Sequence, residues 1–463
     1  MLMELRIDRQ ALVPIVQQIV DALTCWLRCN GVPPGVRLPS VRQIARINLL
    51  SQSSVVEACE RLVAQGVLVS RHGSVFFVAA AHSAGQGQQG TSWLEGTQIN
   101  QDSLLGELKL GCGGLPESWR ETDDLSYAIR EVSRTDMAGL FNYSTPLGLP
   151  FLRQQILKRL NKLDIKVDDS RILTTTGASQ GLDLIVRTFF KPGDCAVVES
   201  PGYPLLFDLL RLHGVNLLEM PRTPCGPDVT ALETLLLKHQ PRGVFINSFC
   251  HNPTGSSLAP KVALQVLQLA NKHGVLVIED DVYADLHCGP GVRLAALDDG
   301  VLYVGSYSKT LSSSLRVGFV VAGVEAIARL AQVKMISSMG TSLFGESVLA
   351  CLLANGAYRK LVQRQRQRLN GHRLAALQLL EDADWEVFGK PVGGLFIWAR
   401  SRMSDYAHVR TQAQRFGVLL SSKTAFSPSG AANDWQRINV AFACDPQARA
   451  FFQSTAPDRP QAF

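Results

Sequence analysis

Apolar positions near the start of the chain recur at helical spacing: Leu12, Ile15, Val16, Ile19, Val20, Leu23 and Leu27 fall on one face. Gly31 ends that period and Pro33-Pro34-Gly35 predicts a turn. Ser40, following Pro39, is placed to cap a short helix containing Arg42, Ile44 and Ala45. Ser51-Gln52-Ser53-Ser54 opens another, with Val55, Leu62 and Val63 inward, capping-box spacing between Ser54 and Glu57, and Gly66 as its stop. The runs Val67–Val69 and Val75–Val78, separated by Arg71-His72-Gly73, predict a β-hairpin. Three helices followed by a hairpin predict a winged helix-turn-helix, with the helix from Ser51 entering the DNA major groove.

The periodicity then stops. From Ala79 to about Gln101 the chain turns to Ala, Gly, Gln and Ser (AAAHSAGQGQQGTS), the composition of a solvated linker. Beyond it, apolar strand-like runs alternate with helical stretches: Arg171–Thr175, Cys195–Val198, Val244–Asn247, Val275–Glu279, Leu302–Val304 and Gly318–Val321. Such alternation predicts an α/β fold with a mostly parallel sheet, whose functional groups gather at the strands' carboxyl ends. The expected domains are a reader at 1–79, a linker at 80–103 and a module at 104–455, divided into a large part at about 150–325 and a smaller C-terminal α+β part at about 330–455.

Charge sharpens the reading of the first module. The chain's net charge of +6 is spread over 463 residues, but residues 1–80 hold eight Arg, no Lys and five acids. Arginine's planar fork suits phosphates and guanine edges. Ten cysteines form no CxxC pair and no Cys/His cluster at zinc spacing, so no metal site is expected. No apolar run reaches 18 residues and no secretory signal is visible, so no membrane partner and a cytoplasmic location are expected.

The candidate chemistry begins at Lys309, in Gly305-Ser-Tyr-Ser-Lys309-Thr. It follows an apolar strand among small hydroxyl residues, where a desolvated lysine has a lowered pKa and condenses with aldehydes. Ser306, Ser308 and Arg316 supply a phosphate cradle, so lysine, cradle and aldehyde together point to pyridoxal phosphate. That cofactor needs a carboxylate beside its ring nitrogen, which Asp280 provides at the end of an apolar strand. Tyr283 and Asn252 (in His251-Asn-Pro-Thr-Gly255) are placed to donate to its phenolic oxygen. Gly177-Ala178-Ser179, opening a helix after a strand, adds backbone and hydroxyl donors for phosphate; Tyr203 is a ring-stacking candidate, and Arg437 suits a ligand carboxylate.

The first module, from about Pro14 to Val78, resembles the winged helix of the GntR family. The resemblance rests on Gly35-Val-Arg37-Leu-Pro39-Ser40-Val-Arg42, on Ser51-Gln-Ser-Ser-Val55, on Gly66-Val-Leu and on Arg71-His72-Gly73. It implies contacts with a double-stranded DNA operator from Arg37, Arg42, Ser51, Gln52, Ser53, Ser54, His72 and Gly73. Gln52 stands where many relatives carry Arg, and glutamine can instead pair with adenine, which leaves the base preference open. The second module resembles class I aminotransferases of fold type I, over roughly 104–450. That likeness implies Lys309 as the Schiff-base lysine, Asp280 as the ring-nitrogen partner, and Tyr283 and Asn252 at the phenolic oxygen. It implies Tyr203 stacked on the ring, and Ser179, Ser306 and Arg316 at the phosphate. It further implies Arg437 at the ligand α-carboxylate and Tyr143, in Tyr143-Ser-Thr-Pro-Leu-Gly148, reaching the cofactor phosphate of a partner subunit in a head-to-tail homodimer. The fusion resembles the MocR subfamily. It implies a transcription regulator that senses pyridoxal phosphate or an amino compound by external aldimine formation, the other reading being an aminotransferase with an appended DNA-binding module.

Overall fold

The computed structural model describes Leu5 and residues 15–29, 32–33, 35–64, 67–70, 75–79, 107–120, 122–135, 141–287, 291–403 and 405–456. The expected linker, the wing tip with His72 and Gly73, and the stops Gly31 and Gly66 lie outside the described residues. The chain divides into two compact units, Met1–Thr91 and Ser92–Phe463.

The first unit holds α1 (Ile15–Cys29), α2 (Val41–Ile47), α3 (Gln52–Ala64), β1 (Leu68–Ser70) and β2 (Phe76–Val78). Ile19, Leu23, Ile44, Val55, Ala58, Leu62 and Leu68 converge in one core, so the helical period marked the buried faces correctly. The capping box falls at α2: Gln43 N donates to Ser40 Oγ and Ser40 N to Gln43 Oε1. The box expected between Ser54 and Glu57 does not form. The helix starts two residues earlier, and Ser54 N donates to Ser51 Oγ at 3.0 Å, while Glu57 pairs with Arg61 at 2.8 Å. β1 and β2 pair antiparallel, Leu68 opposite Val78. Residues 36–38 add a third segment to this wing, with Leu38 N donating to Phe76 O and Val78 N to Val36 O, both at 2.9 Å.

The second unit is built on an eight-stranded sheet. Its strands are β3 (Ile172–Thr175), β4 (Cys195–Ser200), β5 (Asn216–Thr223), β6 (Gly226–Pro227), β7 (Gly243–Asn247), β8 (Leu276–Asp280), β9 (Leu302–Ser306) and β10 (Gly318–Val321). They run in the order β3-β10-β9-β8-β7-β4-β5-β6. β4, β5, β7, β8 and β9 pair in parallel; β10 is antiparallel to both its neighbours. Helices cover both faces, and the central strands are buried throughout, which explains why their sequences read as apolar runs rather than alternation.

A smaller antiparallel sheet follows: β11 (Trp385–Val387), β12 (Phe396–Ser401) and β13 (Gln436–Asn439). Its core starts later in the chain than the expected 330. The helix Val324–Ser338 packs Ile327, Leu330 and Ala331 into the cluster of Leu182, Ile185 and Val320 on the large sheet. The 26-residue helix Ala357–Asp382 makes the transition, with Tyr358 and Leu361 in the large part's core and Leu369, Ala376 and Leu380 in the small one's. The small part also takes in the start of the unit: Leu108 and Leu110 are buried among Val418, Phe396 and Ile438, and Leu108 bridges Val418. Among the described residues no helix is long and apolar enough to cross a membrane, and no cluster of His, Cys, Asp or Glu could hold a metal ion.

Candidate cofactor site and DNA-reading face

The carboxyl ends of β3, β4, β7, β8 and β9 lead into Gly177, Ser200, Asn247, Asp280 and Ser306. Because β10 runs the other way, its first residue reaches the same edge: Gly318 pairs with both Ser306 and Thr175. Arg316, just before it, is thereby delivered beside Gly177. The fit is close: a Cβ on Gly177 would lie 2.7 Å from Arg316 Nη2, and one on Gly318 2.6 Å from the Gly177 carbonyl carbon. Gly177 and Arg316 both take left-handed φ values, 76° and 50°. Arginine rarely adopts that conformation, and such backbone strain persists where the surrounding structure enforces it.

These ends open into a cavity of about 720 Å³, lined by Ala178, Ser179, Tyr203, Asn252, Asp280, Tyr283, Ser306, Ser308, Lys309 and Arg316 among others. Ten of the residues singled out from sequence thus share one cavity, with Gly177 against Arg316. Asp280 is buried, and Val282 N donates to its Oδ1 at 3.2 Å. Burial, with the Asp281 charge adding to it, lifts the Asp280 carboxyl to about 7. Burial also lowers the Lys309 amine to about 8; the positive charges of Arg437 and Arg316 act the same way, and Asp280 opposes them. Lys309 Nζ donates to Gly113 O at 3.2 Å. Burial pushes the Tyr203 hydroxyl up to about 12 and Tyr283 well above its usual range, so both remain protonated donors at neutral pH.

Several positioning residues were not visible in the sequence. Asn247 donates Nδ2 to Asp280 O at 2.8 Å and accepts from Asn252 N at 2.9 Å, tying the two together. Its own N–H donates to Glu199 Oε2 at 2.7 Å, and Glu199 is paired with Arg222 in full burial. The Lys309 turn is held by the long helix: Thr310 Oγ1 bonds Tyr358 OH at 2.7 Å and Gln365 Nε2 donates to Thr310 O at 2.6 Å.

Arg437 on β13 stands behind Asn252 with its fork already engaged. Nε and Nη2 donate to Gly111 O at 3.0 and 2.7 Å, and Nη1 to Asn252 Oδ1 at 2.8 Å. Asn439 Nδ2 donates to Cys112 O and Gly114 O. Four successive carbonyls, Gly111 to Gly114, are therefore held by Arg437, Asn439 and Lys309. Tyr143 lies apart from the cavity lining, 78% exposed, on a loop pinned from beneath by buried Glu346, which accepts from Ser144 Oγ, Leu149 N and Thr174 Oγ1.

On the first unit, Arg37, Arg42, Ser51, Gln52 and Ser53 are exposed and Ser54 is half-buried. The Ser51 hydroxyl is committed to capping and donates to Ser54 Oγ at 2.7 Å. Ser53 Oγ also bonds Ser51 Oγ, at 3.0 Å, so Gln52 and the two arginines are left as outward-facing donors.

Fold and cavity together define an aminotransferase-type module, a class whose cofactor is pyridoxal phosphate, on a chain that begins with a winged helix-turn-helix. The comparisons agree. Residues 106–450 match the aminotransferase class I and II family, and residues 15–78 match the gntR family of bacterial regulatory proteins. The chain belongs to the aminotransferase class I and II family and carries a GntR-type reader, the domain composition of the MocR regulators. It is 27% identical to the HTH-type transcriptional regulator YdfD of Bacillus subtilis, over 93% of each chain. It is 34% identical to the 2-aminoadipate transaminase of Thermus thermophilus, over 62% of this chain and 73% of that one. The solved LysN of Thermus thermophilus, complexed with N-(5'-phosphopyridoxyl)-L-leucine, superposes with a TM-score of 0.69 at 26% identity, covering 76% of this chain and 93% of that one.

Proposed function

We propose that this protein is a cytoplasmic DNA-binding regulator whose aminotransferase-type module holds pyridoxal phosphate and senses either the cofactor itself or an amino compound. The observation that carries this reading is the presence, on one chain, of an outward-facing reader and a cavity with the chemistry of the cofactor. The buried Ser308 Oγ finds no hydrogen-bond partner among the described residues, and the buried Asp280 carboxyl is held near neutral pKa. A protonated ring nitrogen and a phosphate would satisfy them.

When bound, the cofactor supplies an aldehyde carbon that takes amines and a ring that withdraws electrons when its nitrogen is protonated. Lys309 would hold it covalently and Asp280 would keep the ring-nitrogen proton. Asn252 and Tyr283 would donate to the phenolic oxygen, with Tyr203 against the ring. Gly177, Ala178, Ser179, Ser306, Ser308 and Arg316 would bind the phosphate, joined by Tyr143 from the partner of a head-to-tail homodimer. Arg37, Arg42, Ser51, Gln52, Ser53 and Ser54 would read a double-stranded operator.

The switch follows from competition at Arg437. A ligand carboxylate would compete with Gly111 O for the Arg437 fork, and Lys309 Nζ, once engaged by the cofactor, would leave Gly113 O. Occupation of the site would thus free Gly111 O and Gly113 O, while Asn439 keeps its hold on Cys112 O and Gly114 O, and a switch results where the two states differ in operator affinity. The test is fluorescence anisotropy of the holoprotein on DNA from upstream of its own gene, with and without pyridoxal phosphate, and with Lys309→Ala. Sequence-selective binding that changes with cofactor is expected; binding without selectivity in every condition would overturn the reading. The relatives with aminotransferase names favour a second reading, turnover with an amino donor and a keto acceptor; Lys309→Ala would abolish it.

A further inference from the structure

The cavity that surrounds Lys309 extends beyond the residues assigned to the cofactor. Its lining acid is Asp280, while its cations are Lys309, Arg316 and Arg120. Under the reading above, Lys309 and Arg316 are committed to the cofactor, so Arg120 is the cation left to face a ligand. It follows the short turn Glu117–Trp119. Its backbone is anchored through Trp119, which packs against the small part's core and stacks edge-on with His372 at 4.8 Å. The guanidinium itself is loosely held. Its side chain is 57% exposed, and its ion pair is a 3.6 Å approach to Glu117, 89% exposed. Such a pair is weak and easily exchanged for a better acceptor. Asp124, at the start of the next helix, is engaged by Arg364 at 3.7 Å.

The cavity that holds both Arg120 and Lys309 is also lined by the apolar Leu115, Leu125, Val282 and Leu361. At the inner end, a Cβ on Gly113 would lie 3.8 Å from Lys309 Nζ and 3.9 Å from Arg437 Nη1, so the amine site and the carboxylate fork flank one glycine. The cavity thus brings together an amine position, apolar side chains and a further guanidinium, with the Arg437 fork beside the amine across Gly113. We propose that Arg120 selects the ligand: an α-amino acid whose aliphatic side chain ends in an anionic group, the distal charge meeting Arg120. This rests on the reading that the module senses amino compounds.

The test uses the full-length holoprotein and follows the cofactor's absorbance during titration. L-Glutamate is compared with its neutral isostere L-glutamine, and L-2-aminoadipate with L-norleucine. Half-saturation at concentrations about fivefold lower for the acidic member of a pair is expected, the ~1 kcal/mol of a solvent-accessible ion pair. In R120Q the acidic member's half-saturation rises to that of its neutral counterpart, and R120K restores part of the preference. Equal half-saturation within both pairs in the native protein, or an acidic preference that survives R120Q, overturns the assignment of Arg120 while leaving amino-compound sensing in place. Absorbance that no amino acid alters overturns the sensing reading and the assignment with it.

Discussion

Asp280→Asn is expected to raise the stability of the cofactor-free protein at pH 8 and to weaken its hold on pyridoxal phosphate. The Asp280 carboxyl is 8% exposed and burial lifts it from 3.8 to about 7. A folded-state value above the unfolded one means that the native state binds the proton more tightly. The stabilising contribution is therefore present below about pH 4, is lost progressively as pH rises from 4 to 7, and is absent at pH 8. A shift of this size corresponds to about 4 kcal/mol at pH 8, a ceiling for the gain on removing the charge. Asparagine keeps an acceptor for Val282 N, so the local backbone stays satisfied. The gap between variant and native protein narrows by about 2–3 kcal/mol between pH 8 and pH 5, where the native carboxyl is mostly protonated. Calorimetry of the apoprotein at both pH values measures the gap, and absorbance titration measures cofactor affinity. With the cofactor added the order reverses, because ligand that binds the native state stabilises in proportion to its affinity. An apo variant no more stable than the native protein at pH 8, or one with undiminished cofactor affinity, would refute the reasoning.

Burial, together with Arg437 and Arg316, holds the Lys309 amine near 8, so the neutral nucleophilic form grows as pH rises toward that value. Stopped-flow absorbance should show cofactor capture accelerating from pH 6 to about 8 and then levelling; a profile still climbing steeply to pH 10 would point to an unperturbed lysine. Arg42→Ala should weaken operator binding with little regard to sequence and reduce the salt slope by about one, whereas Gln52→Ala should relax preference at one base pair by roughly 1–3 kcal/mol, both read by anisotropy across a salt series. Glu346→Ala removes the acceptor of Ser144 Oγ, Leu149 N and Thr174 Oγ1 in the interior, and urea unfolding should show a loss of about 3 kcal/mol, with Glu346→Gln costing less.

The parts of this protein that were legible in sequence are those fixed by neighbours a few residues away. The apolar faces of α1 and α3 and the cap at Ser40 follow from local spacing. Lys309 and Asp280 stood out because one follows and the other ends an apolar strand, where a polar residue is conspicuous. The start of α3 near Ser51 was read correctly, but its capping box was misassigned because three cap-competent serines, Ser51, Ser53 and Ser54, stand within four residues. The choice of Ser51 follows from the preceding turn, where Leu49 takes a left-handed φ of 52° and Leu50 N bonds Ala45 O. β5 went unseen because Pro221 and Arg222 interrupt it. The fold tolerates them because β5 has only the two-residue β6 on its outer side, and because Arg222 turns inward to Glu199. The hold of Arg437 on Gly111 spans 326 residues, and no pattern within the chain announces such a contact.

The antiparallel β10 explains how a nearly parallel sheet brings Arg316 to the edge where its strand carboxyl ends gather. A purely parallel edge would offer strand carboxyl ends and helix N-termini, with the segments entering each strand at the far side. Reversing one strand between β3 and β9 brings an entering segment to the near side, and with it Arg316. The same edge faces the 111–114 carbonyls. A ligand carboxylate at the Arg437 fork would compete with the Gly111 carbonyl, so binding there would loosen one of the four holds on the 111–114 segment.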